Sequence, residues 1–208
     1  MTNQNELDWS QRYRPTSMDE LVLPESFASK LRQFATKKGG MSLLFYGKPG
    51  MGKTTAAKLI NPEGTYHLNC TLDNSVAMVK ELKRTCTAYP IESERRLVLL
   101  DEADYLTDAA QAGLRGAVEE LSVVNDFVMT ANEPERLSAA IRSRFFPVHF
   151  DFLLTDDYLQ DLAVRLWDIA ACEGYGDVDM HLLRALVRRN FPDIRKMIKA
   201  LQFELMSV

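Results

Sequence analysis

The sequence predicts an α/β fold in which a parallel sheet flanked by helices is followed by a small three-helix domain. Up to about residue 150, short apolar runs alternate with helix-like stretches, an order that indicates a parallel sheet. Three helical stretches follow with no strand between them. A glycine-rich loop joins the first apolar run to the first long helical stretch. We therefore expect an α/β domain over residues 1–150 and a helical domain over residues 151–208.

The predicted strands are short apolar runs rich in β-branched or aromatic residues. Each is too short for a helix, and a continuous apolar run is typical of a strand that is covered on both faces. The runs lie at residues 43–46, 66–68, 97–100, 127–129 and 148–150.

The predicted helices show apolar residues at helical spacing. They span residues 53–60, 76–88, 108–121, 155–173, 179–190 and 193–205. Thr107 and Thr155 are suitable N-caps, and Gly174 is a suitable stop signal. The first 40 residues are polar and turn-rich, with Pro15 and Pro24 among them, and no strand or helix is assigned there.

Composition excludes several classes of protein. The chain has 208 residues, 46% of them apolar and 26% charged, which argues against disordered, collagen-like or repeat proteins. It contains no apolar run of the ~18 residues that cross a membrane, and its N-terminus lacks the features of a secretory signal. The three cysteines are far apart, so neither a disulfide framework nor a zinc site is expected. A net charge of −4 limits nucleic-acid binding to a local patch. We expect a soluble protein of the reducing cytosol.

The glycine-rich loop matches the pattern G-x-x-x-x-G-K-[ST] and lies between a strand and a helix. Glycines let the backbone wrap around phosphate oxygens, and the helix N-terminus adds a partial positive charge. Lys53 is predicted to reach the β- and γ-phosphates, and the Thr54 hydroxyl to bind Mg²⁺. The alternative is a flexible glycine turn. The predicted cofactors are ATP and Mg²⁺, and the predicted binding residues are Gly47, Lys48, Pro49, Gly50, Met51, Gly52, Lys53, Thr54 and Thr55.

Polar residues follow two other apolar runs. Two adjacent carboxylates at the end of a buried strand indicate a nearby cation. Asp101 is predicted to contribute to the Mg²⁺ site through water or from outside the inner coordination sphere, and Glu102 to polarise the attacking water. A solvated acidic turn is the alternative, and Asp104 is predicted to be a charge at the start of the next helix. Asn132 is predicted to bind the γ-phosphate or orient the water, although asparagine after a strand is also a common turn former.

Two arginines have unusual surroundings. Arg144 lies, together with Arg142, in a stretch whose other residues are neutral or apolar, where a guanidinium needs an anion or water. Arg195 lies in the first turn of the last predicted helix, where the helix dipole disfavours a cation unless an anion lies opposite. An ordinary surface position is the alternative for both.

Taken together, these residues resemble an AAA+ ATPase, most closely the small subunits of clamp loaders of the T-even phage type. The resemblance runs from about residue 9 to the C-terminus. Phe145 replaces the cysteine of the family's Ser-Arg-Cys box. The matching motifs are residues 11–15 and 19–22 on the adenine side, the loop at 47–54, Walker B at 101–104, sensor 1 at 130–132, Ser143-Arg144, and sensor 2 at 190–196.

The resemblance implies roles in an ATP site. Arg144 would be an arginine finger that enters the site of a neighbouring subunit. Arg195 would sense the γ-phosphate from the helical lid. Glu102 and Asn132 would be catalytic, and the remaining nucleotide-binding residues would be Arg14, Val22 and Ile194.

The resemblance also implies partners. DNA would lie along a helix carrying Lys80, Lys83 and Arg84, although such a helix face is often only solvated. Gln111 and Arg115 would relay between the catalytic strand and DNA. Clamp-loader subunits carry a C-terminal collar domain, whereas this sequence stops after the lid helices. Either the sequence is truncated, or the protein assembles without a collar through ATP-site interfaces alone. The expected assembly is a homo- or hetero-oligomer that acts on a sliding clamp or another replication protein. The expected location is the cytoplasm of a bacterial or phage-infected cell.

Two other functions stay open. One is a nucleotide-gated module, as in helicase loaders or transposition ATPases, that binds DNA or a partner and hydrolyses ATP slowly. The other is a small P-loop kinase, which the all-helical C-terminal part and Ser143-Arg144 disfavour.

Overall fold

A computed structural model describes residues 8–37, 41–88 and 95–206 of the chain. The structure divides into two compact units. We call them the sheet unit, comprising Ser29–Gly47 and Lys53–Phe150, and the helical unit, comprising Met1–Ala28, Lys48–Gly52 and Asp151–Val208.

The sheet unit contains a five-stranded sheet in the order β2-β3-β4-β1-β5, and every neighbouring pair is parallel. Because parallel strands end at the same edge, the residues that follow β1, β3 and β4 lie near each other. The register places Tyr46 opposite Ala131, and Leu100 opposite Met129. The strands are β1 (Leu43–Tyr46), β2 (Thr65–Asn69), β3 (Arg96–Asp101), β4 (Asn125–Ala131) and β5 (Phe146–His149).

The helices follow the predicted alternation. Thr107 and Thr155 cap the helices that they precede, as predicted, by accepting hydrogen bonds from the N–H groups of Ala110 and Tyr158. The helices are α1 (Trp9–Arg12), α2 (Glu25–Lys37), α3 (Lys53–Ile60), α4 (Val76–Cys86), α5 (Asp108–Leu121), α6 (Ala139–Arg142), α7 (Asp156–Cys172), α8 (Met180–Asn190) and α9 (Ile194–Met206). Short 3₁₀ helices lie at Met18–Glu20, Ala103–Tyr105 and Pro134–Arg136.

The core of the sheet unit explains the continuous apolar runs. The central strands β1, β3 and β4 are almost completely buried, whereas the edge strands β2 and β5 are partly exposed. Helices α4 and α5 supply the facing side chains, among them Leu82 and Leu114, which are fully buried. Each such leucine stabilises the fold by about 1.5–3 kcal/mol relative to an exposed position.

The helical unit has its own core, which includes the N-terminal segment. Trp9 is buried among residues of α7, α8 and α9, and its backbone N–H donates to Gln202 Oε1 at 3.0 Å. The structure thus groups the N-terminal segment with residues 151–208, whereas the predicted division placed it in the 1–150 domain.

Several elements differ from the sequence prediction: α1, α2 and the short helix α6 were not predicted, and β5 begins earlier than expected. Helix α2 lies in the region that the sequence analysis took as turn-rich. Its buried residues include Ala28 and Leu31. Strand β5 begins at Phe146 rather than at residue 148, since an edge strand tolerates both Pro147 and a phenylalanine that is 61% exposed. Across the described ranges, no helix is long and apolar enough to cross a membrane.

Candidate nucleotide-binding site

The glycine-rich loop depends on left-handed backbone geometry. Gly50 and Gly52 have φ angles of 80° and 86°, a region that L-residues rarely adopt. The Gly50 carbonyl accepts a hydrogen bond from the N–H of Ile194 at 3.1 Å. A Cβ on Gly50 would lie 2.0 Å from Asp193 Oδ1, so the start of α9 packs directly on this loop.

The lysine that ends the loop is buried at the edge of the sheet. Lys53 is 7% exposed, and its Nζ donates to the carbonyl of Gly47 at 2.7 Å and to Asn132 Oδ1 at 2.9 Å. Both of these acceptors are neutral groups that orient the ammonium. The side chain is thereby fixed at the carboxyl ends of β1 and β4, where a phosphate-binding cation is needed.

A carboxylate and two hydroxyls meet beside this lysine. Asp101 Oδ1 accepts hydrogen bonds from the hydroxyls of Thr54 at 2.7 Å and Thr130 at 2.6 Å, and Oδ2 lies 3.4 Å from His67 Nε2. Burial acts to raise the pKa of Asp101, but hydrogen bonds from His67, Thr130 and Thr54 together lower it below its ordinary value. The carboxylate is therefore ionised at neutral pH.

These oxygens fit a magnesium nucleotide. Mg²⁺ prefers a few protein oxygens combined with phosphate oxygens and water, and an ionised carboxylate beside a threonine hydroxyl supplies them. Within residues 8–37, 41–88 and 95–206, no group of three or more histidine, cysteine, aspartate or glutamate side chains forms a metal site. A Mg²⁺ ion at Thr54 and Asp101 would therefore need the nucleotide to complete its coordination.

Glu102 has an unusual backbone. With φ 56° and ψ 46°, it is the one non-glycine residue with a positive φ in the described part of the chain. Its N–H donates to Thr130 Oγ1 at 2.9 Å, so Thr130 links the backbone of Glu102 to the carboxylate of Asp101. Strain of this kind costs roughly 1–3 kcal/mol and is concentrated at functional sites.

Asp104 lies in the first turn of the 3₁₀ helix Ala103–Tyr105, in agreement with its prediction as a charge at a helix start. Its burial was not predicted, since the residue is only 4% exposed. Its Oδ2 accepts hydrogen bonds from the N–H groups of Asn132 at 3.1 Å and Glu133 at 3.0 Å. The side chain thus faces the end of β4.

The predicted finger residue contacts its own chain. Arg144 pairs with Glu119 through Nη2 and donates through Nη1 to the carbonyl of Ala140. Its Nε is buried without a hydrogen-bond partner among the residues described. None of these contacts involves the lysine or carboxylates at the strand ends, so a role for Arg144 at a neighbouring site stays a prediction.

The predicted nucleotide residues of the helical unit differ in exposure, and Val22 and Ile194 both pack against the core of that unit. Arg14 is exposed after α1, and the carbonyl of Val22 accepts a hydrogen bond from the hydroxyl of Tyr158 at 3.3 Å. Ile194 contacts the glycine-rich loop through its N–H, and Arg195 is exposed in the first turn of α9.

The predicted DNA-binding cations lie on α4 and are partly paired. Lys83 pairs with Glu120 of α5, and Arg84 pairs with Glu81 at 2.6 Å. Lys80 is exposed. The two residues predicted to relay between the catalytic strand and DNA have different surroundings. Arg115 is exposed. The second member, Gln111, is buried and bonded to the backbones of Leu106, Arg136 and Ser138.

Sequence reasoning gave His67 no role, placed Thr130 only within a motif, and treated Asp104 only as a charge at the start of a helix. Thr130, His67 and the buried Asp104 all contact groups on a neighbouring strand or its end. A polar residue within the apolar stretch of β4 was the available signal for Thr130. His67 and Asp104 carried no comparable signal, because their partners are set by strand order.

The loop geometry predicts a difference between two glycine substitutions. Gly50→Ala and Gly52→Ala impose similar backbone strain, but only the Cβ at position 50 meets an atom within 4 Å. We expect Gly52→Ala to destabilise the protein by roughly 1 kcal/mol, and Gly50→Ala to lower the melting temperature further.

Calorimetry of both variants measures this difference, and Gly50→Ala/Asp193→Ala is the matched control. The double variant should recover to the level of Gly52→Ala. Equal melting temperatures for the two single variants would contradict the packing of Asp193 on the loop.

Comparison with known proteins agrees with this geometry. Residues 43–152 match the family described as ATPase family associated with various cellular activities (AAA), and residues 156–204 match the AAA+ ATPase lid domain of the sliding-clamp-loader large subunit. The replication factor C small subunit of Aeropyrum pernix is 34% identical over 97% of this chain and 64% of its own length. That of Thermofilum pendens is 34% identical over 93% of this chain and 61% of its own length. The chain thus spans less than two thirds of these curated relatives.

A solved structure shares the fold. The RuvB Holliday junction branch migration motor of Thermotoga maritima superposes with a TM-score of 0.74 at 21% identity, covering 91% of this chain and 64% of the motor. At that identity the likeness supports the fold alone. The parallel sheet, the loop at its edge and the matching lid together show that this chain belongs to the ATPase family associated with various cellular activities (AAA), with a lid of the clamp-loader type.

Proposed function

We propose that the chain hydrolyses ATP as a subunit of an AAA+ oligomer that acts on DNA in the manner of a clamp loader. One observation carries the proposal: Lys53, the Thr54–Asp101 pair and Asn132 meet at the carboxyl ends of adjacent parallel strands. Supporting it, the relatives are named replication factor C small subunits and the lid resembles that of sliding-clamp loaders.

The proposed roles follow from the chemistry of each side chain. Residues 47–55 would enclose the phosphates, with the Lys53 ammonium on the β- and γ-oxygens. Thr54 and Asp101 would hold Mg²⁺, which neutralises phosphate charge. The Glu102 carboxylate would accept a proton from the attacking water, and Asn132 would orient that water.

The proposed assembly places Arg144 in the ATP site of a neighbouring subunit, while Arg195 and Ile194 respond to nucleotide from the lid. Arg14 and Val22 would lie on the adenine side. The neighbour would be a second copy or a related chain, and the assembly would act on a sliding clamp or another replication protein. We propose a cytoplasmic location. The relatives are archaeal, so an origin in a bacterial or phage-infected cell rests on the phage-like motifs alone.

Steady-state ATP turnover with and without primed DNA tests the proposal. A DNA-stimulated ATPase is the expected result. Nucleotide-dependent assembly with no stimulated turnover would favour the nucleotide-gated module instead, and no nucleotide binding at all would contradict both functions.

The charge pattern of α4 predicts which cation contributes most to DNA binding. Lys83 and Arg84 are already paired with carboxylates, whereas Lys80 is exposed. We expect Lys80→Glu to weaken DNA binding and to reduce the slope of log affinity against log salt by about 0.9, the value for one lost contact to duplex DNA.

Fluorescence anisotropy over a salt series measures the slope. Lys30→Glu is the matched control, because it makes the same charge change at an exposed position on α2. An unchanged slope for Lys80→Glu, or an equal change for Lys30→Glu, would remove Lys80 from the DNA-binding surface.

A further inference from the structure

We infer that Asp104 is a positioning residue that holds Asn132 in place for the reaction. The inference rests on the proposed function, because it assigns to Asp104 the alignment of the predicted sensor asparagine. Asp104 Oδ2 accepts hydrogen bonds from the N–H groups of Asn132 and Glu133, at 3.1 and 3.0 Å. Asn132 Oδ1 in turn accepts from Lys53 Nζ at 2.9 Å. One carboxylate is therefore connected to the phosphate-binding lysine through a single residue.

The burial of Asp104 argues against a purely stabilising role. The residue is 4% exposed, and its Oδ1 has no hydrogen-bond partner among the residues described. Removing a carboxylate from water is unfavourable, and an unsatisfied buried oxygen in a native structure requires an explanation. A residue that served only to begin the 3₁₀ helix would gain more by remaining in solvent. The free-energy cost of burying this carboxylate is understandable if it holds a residue in a position on which activity depends.

The backbone just after β4 needs an additional hydrogen-bond acceptor to hold it in place. The pairing of β1 with β4 ends at Tyr46 and Ala131, so the next two N–H groups lie beyond the ladder. Asp104 supplies their acceptor and holds the backbone of Asn132 at the strand end. Without it, the amide side chain of Asn132 would be free to shift relative to Lys53. A displacement of about 1 Å in a catalytic arrangement can reduce the rate on the order of 10²-fold.

Three variants separate positioning from charge and from general stability. Asp104→Ala removes the acceptor for both N–H groups. Asp104→Asn keeps an oxygen of the same reach and removes the charge. Asp108→Ala is the matched control, because it deletes an exposed aspartate four residues away.

Amide hydrogen exchange of the full chain provides a readout that does not require activity. In Asp104→Ala, the amides of Asn132 and Glu133 should exchange about tenfold faster or more, as expected for losing a hydrogen bond to a charged acceptor. Amides of the central β3 strand should be unchanged. Asp104→Asn should stay within about threefold of the wild-type rates, since its oxygen still accepts.

Turnover is measured in parallel with ATP, Mg²⁺ and primed DNA. Asp104→Ala should reduce turnover on the order of 10²-fold, and Asp104→Asn should restore most of it. Because Asp104 acts through Asn132, adding Asp104→Ala to Asn132→Ala should cause no further loss. A merely structural role would instead lower turnover in both backgrounds by the same factor.

The outcomes distinguish the inference from the function on which it rests. Unchanged exchange at both amides in Asp104→Ala, or an Asp104→Asn variant as defective as Asp104→Ala, would overturn the inference. Full turnover by Asn132→Ala, or none by the wild type, would count against the proposed function, while exchange would still decide whether Asp104 holds the strand end. If Asp104→Ala does not fold, the Asp104→Asn variant alone tests the inference. Amide exchange and turnover close to those of the wild type would support positioning. Faster exchange of the two amides, or a loss of turnover, would overturn it.

Discussion

Arg144→Ala is expected to reduce ATP turnover by about 10³-fold while leaving ATP affinity within a few-fold of wild type. The reason is that the proposed finger acts on the developing phosphate charge in a neighbouring site and contributes little to ground-state binding. In the isolated chain its guanidinium pairs with Glu119, which is largely exposed. A pair of this kind is worth about 0–1 kcal/mol, so exchanging Glu119 for a phosphate meets little opposition.

The measurement combines phosphate release with nucleotide binding. Arg142→Ala is the matched control, because Arg142 is an exposed arginine at the end of α6, two residues before Arg144. In a homo-oligomer, mixing Arg144→Ala with Glu102→Gln should partly restore turnover, since the second variant lends its intact arginine to the first. Normal turnover by Arg144→Ala alone would contradict an arginine supplied by a neighbouring subunit.

The second large effect is expected from Glu102→Gln. The amide keeps the size of the side chain but cannot take a proton from water, so turnover should fall by about 10²–10⁴-fold. The backbone of Glu102 is already left-handed and is held by Thr130, and glutamine imposes no additional strain there. ATP should still bind, and the ATP-bound assembly should accumulate.

Light scattering with ATP and Mg²⁺ reports the size of that assembly, and Glu135→Gln on the exposed 3₁₀ helix Pro134–Arg136 is the control. A variant that stays monomeric with bound ATP would argue against assembly through the ATP site. Retained turnover would exclude Glu102 as the base.

The central strands illustrate what could be predicted from sequence. The apolar runs at 97–100 and 127–129 became the cores of β3 and β4, because a strand covered on both faces requires apolar residues at every position. Helix α2 was missed although its sequence carries a helical signal, since Phe27, Leu31 and Phe34 recur at helical spacing. The prolines and glycines around it led the whole region to be taken as turn-rich.

The carboxylates after β3 show where prediction ends. Both Asp101 and Asp104 were visible as acidic residues, and local sequence assigned one to a metal and the other to the start of a helix. The structure directs Asp104 toward the end of β4 and makes Thr130 the link between Asp101 and Glu102. These partners depend on β3 and β4 being neighbours in the sheet, which no local pattern specifies.

The sequence by itself determined the glycine-rich loop, the alternation of strands and helices, and the polar residues at the strand ends, because these follow from chemistry within a few neighbouring positions. Only the tertiary structure decided which polar groups meet: Lys53 with Asn132, Asp104 with the end of β4, and Trp9 with the helical unit. The physical reason is that hydrogen bonds and side-chain packing act over a few ångströms, and strand order brings together residues far apart in the chain.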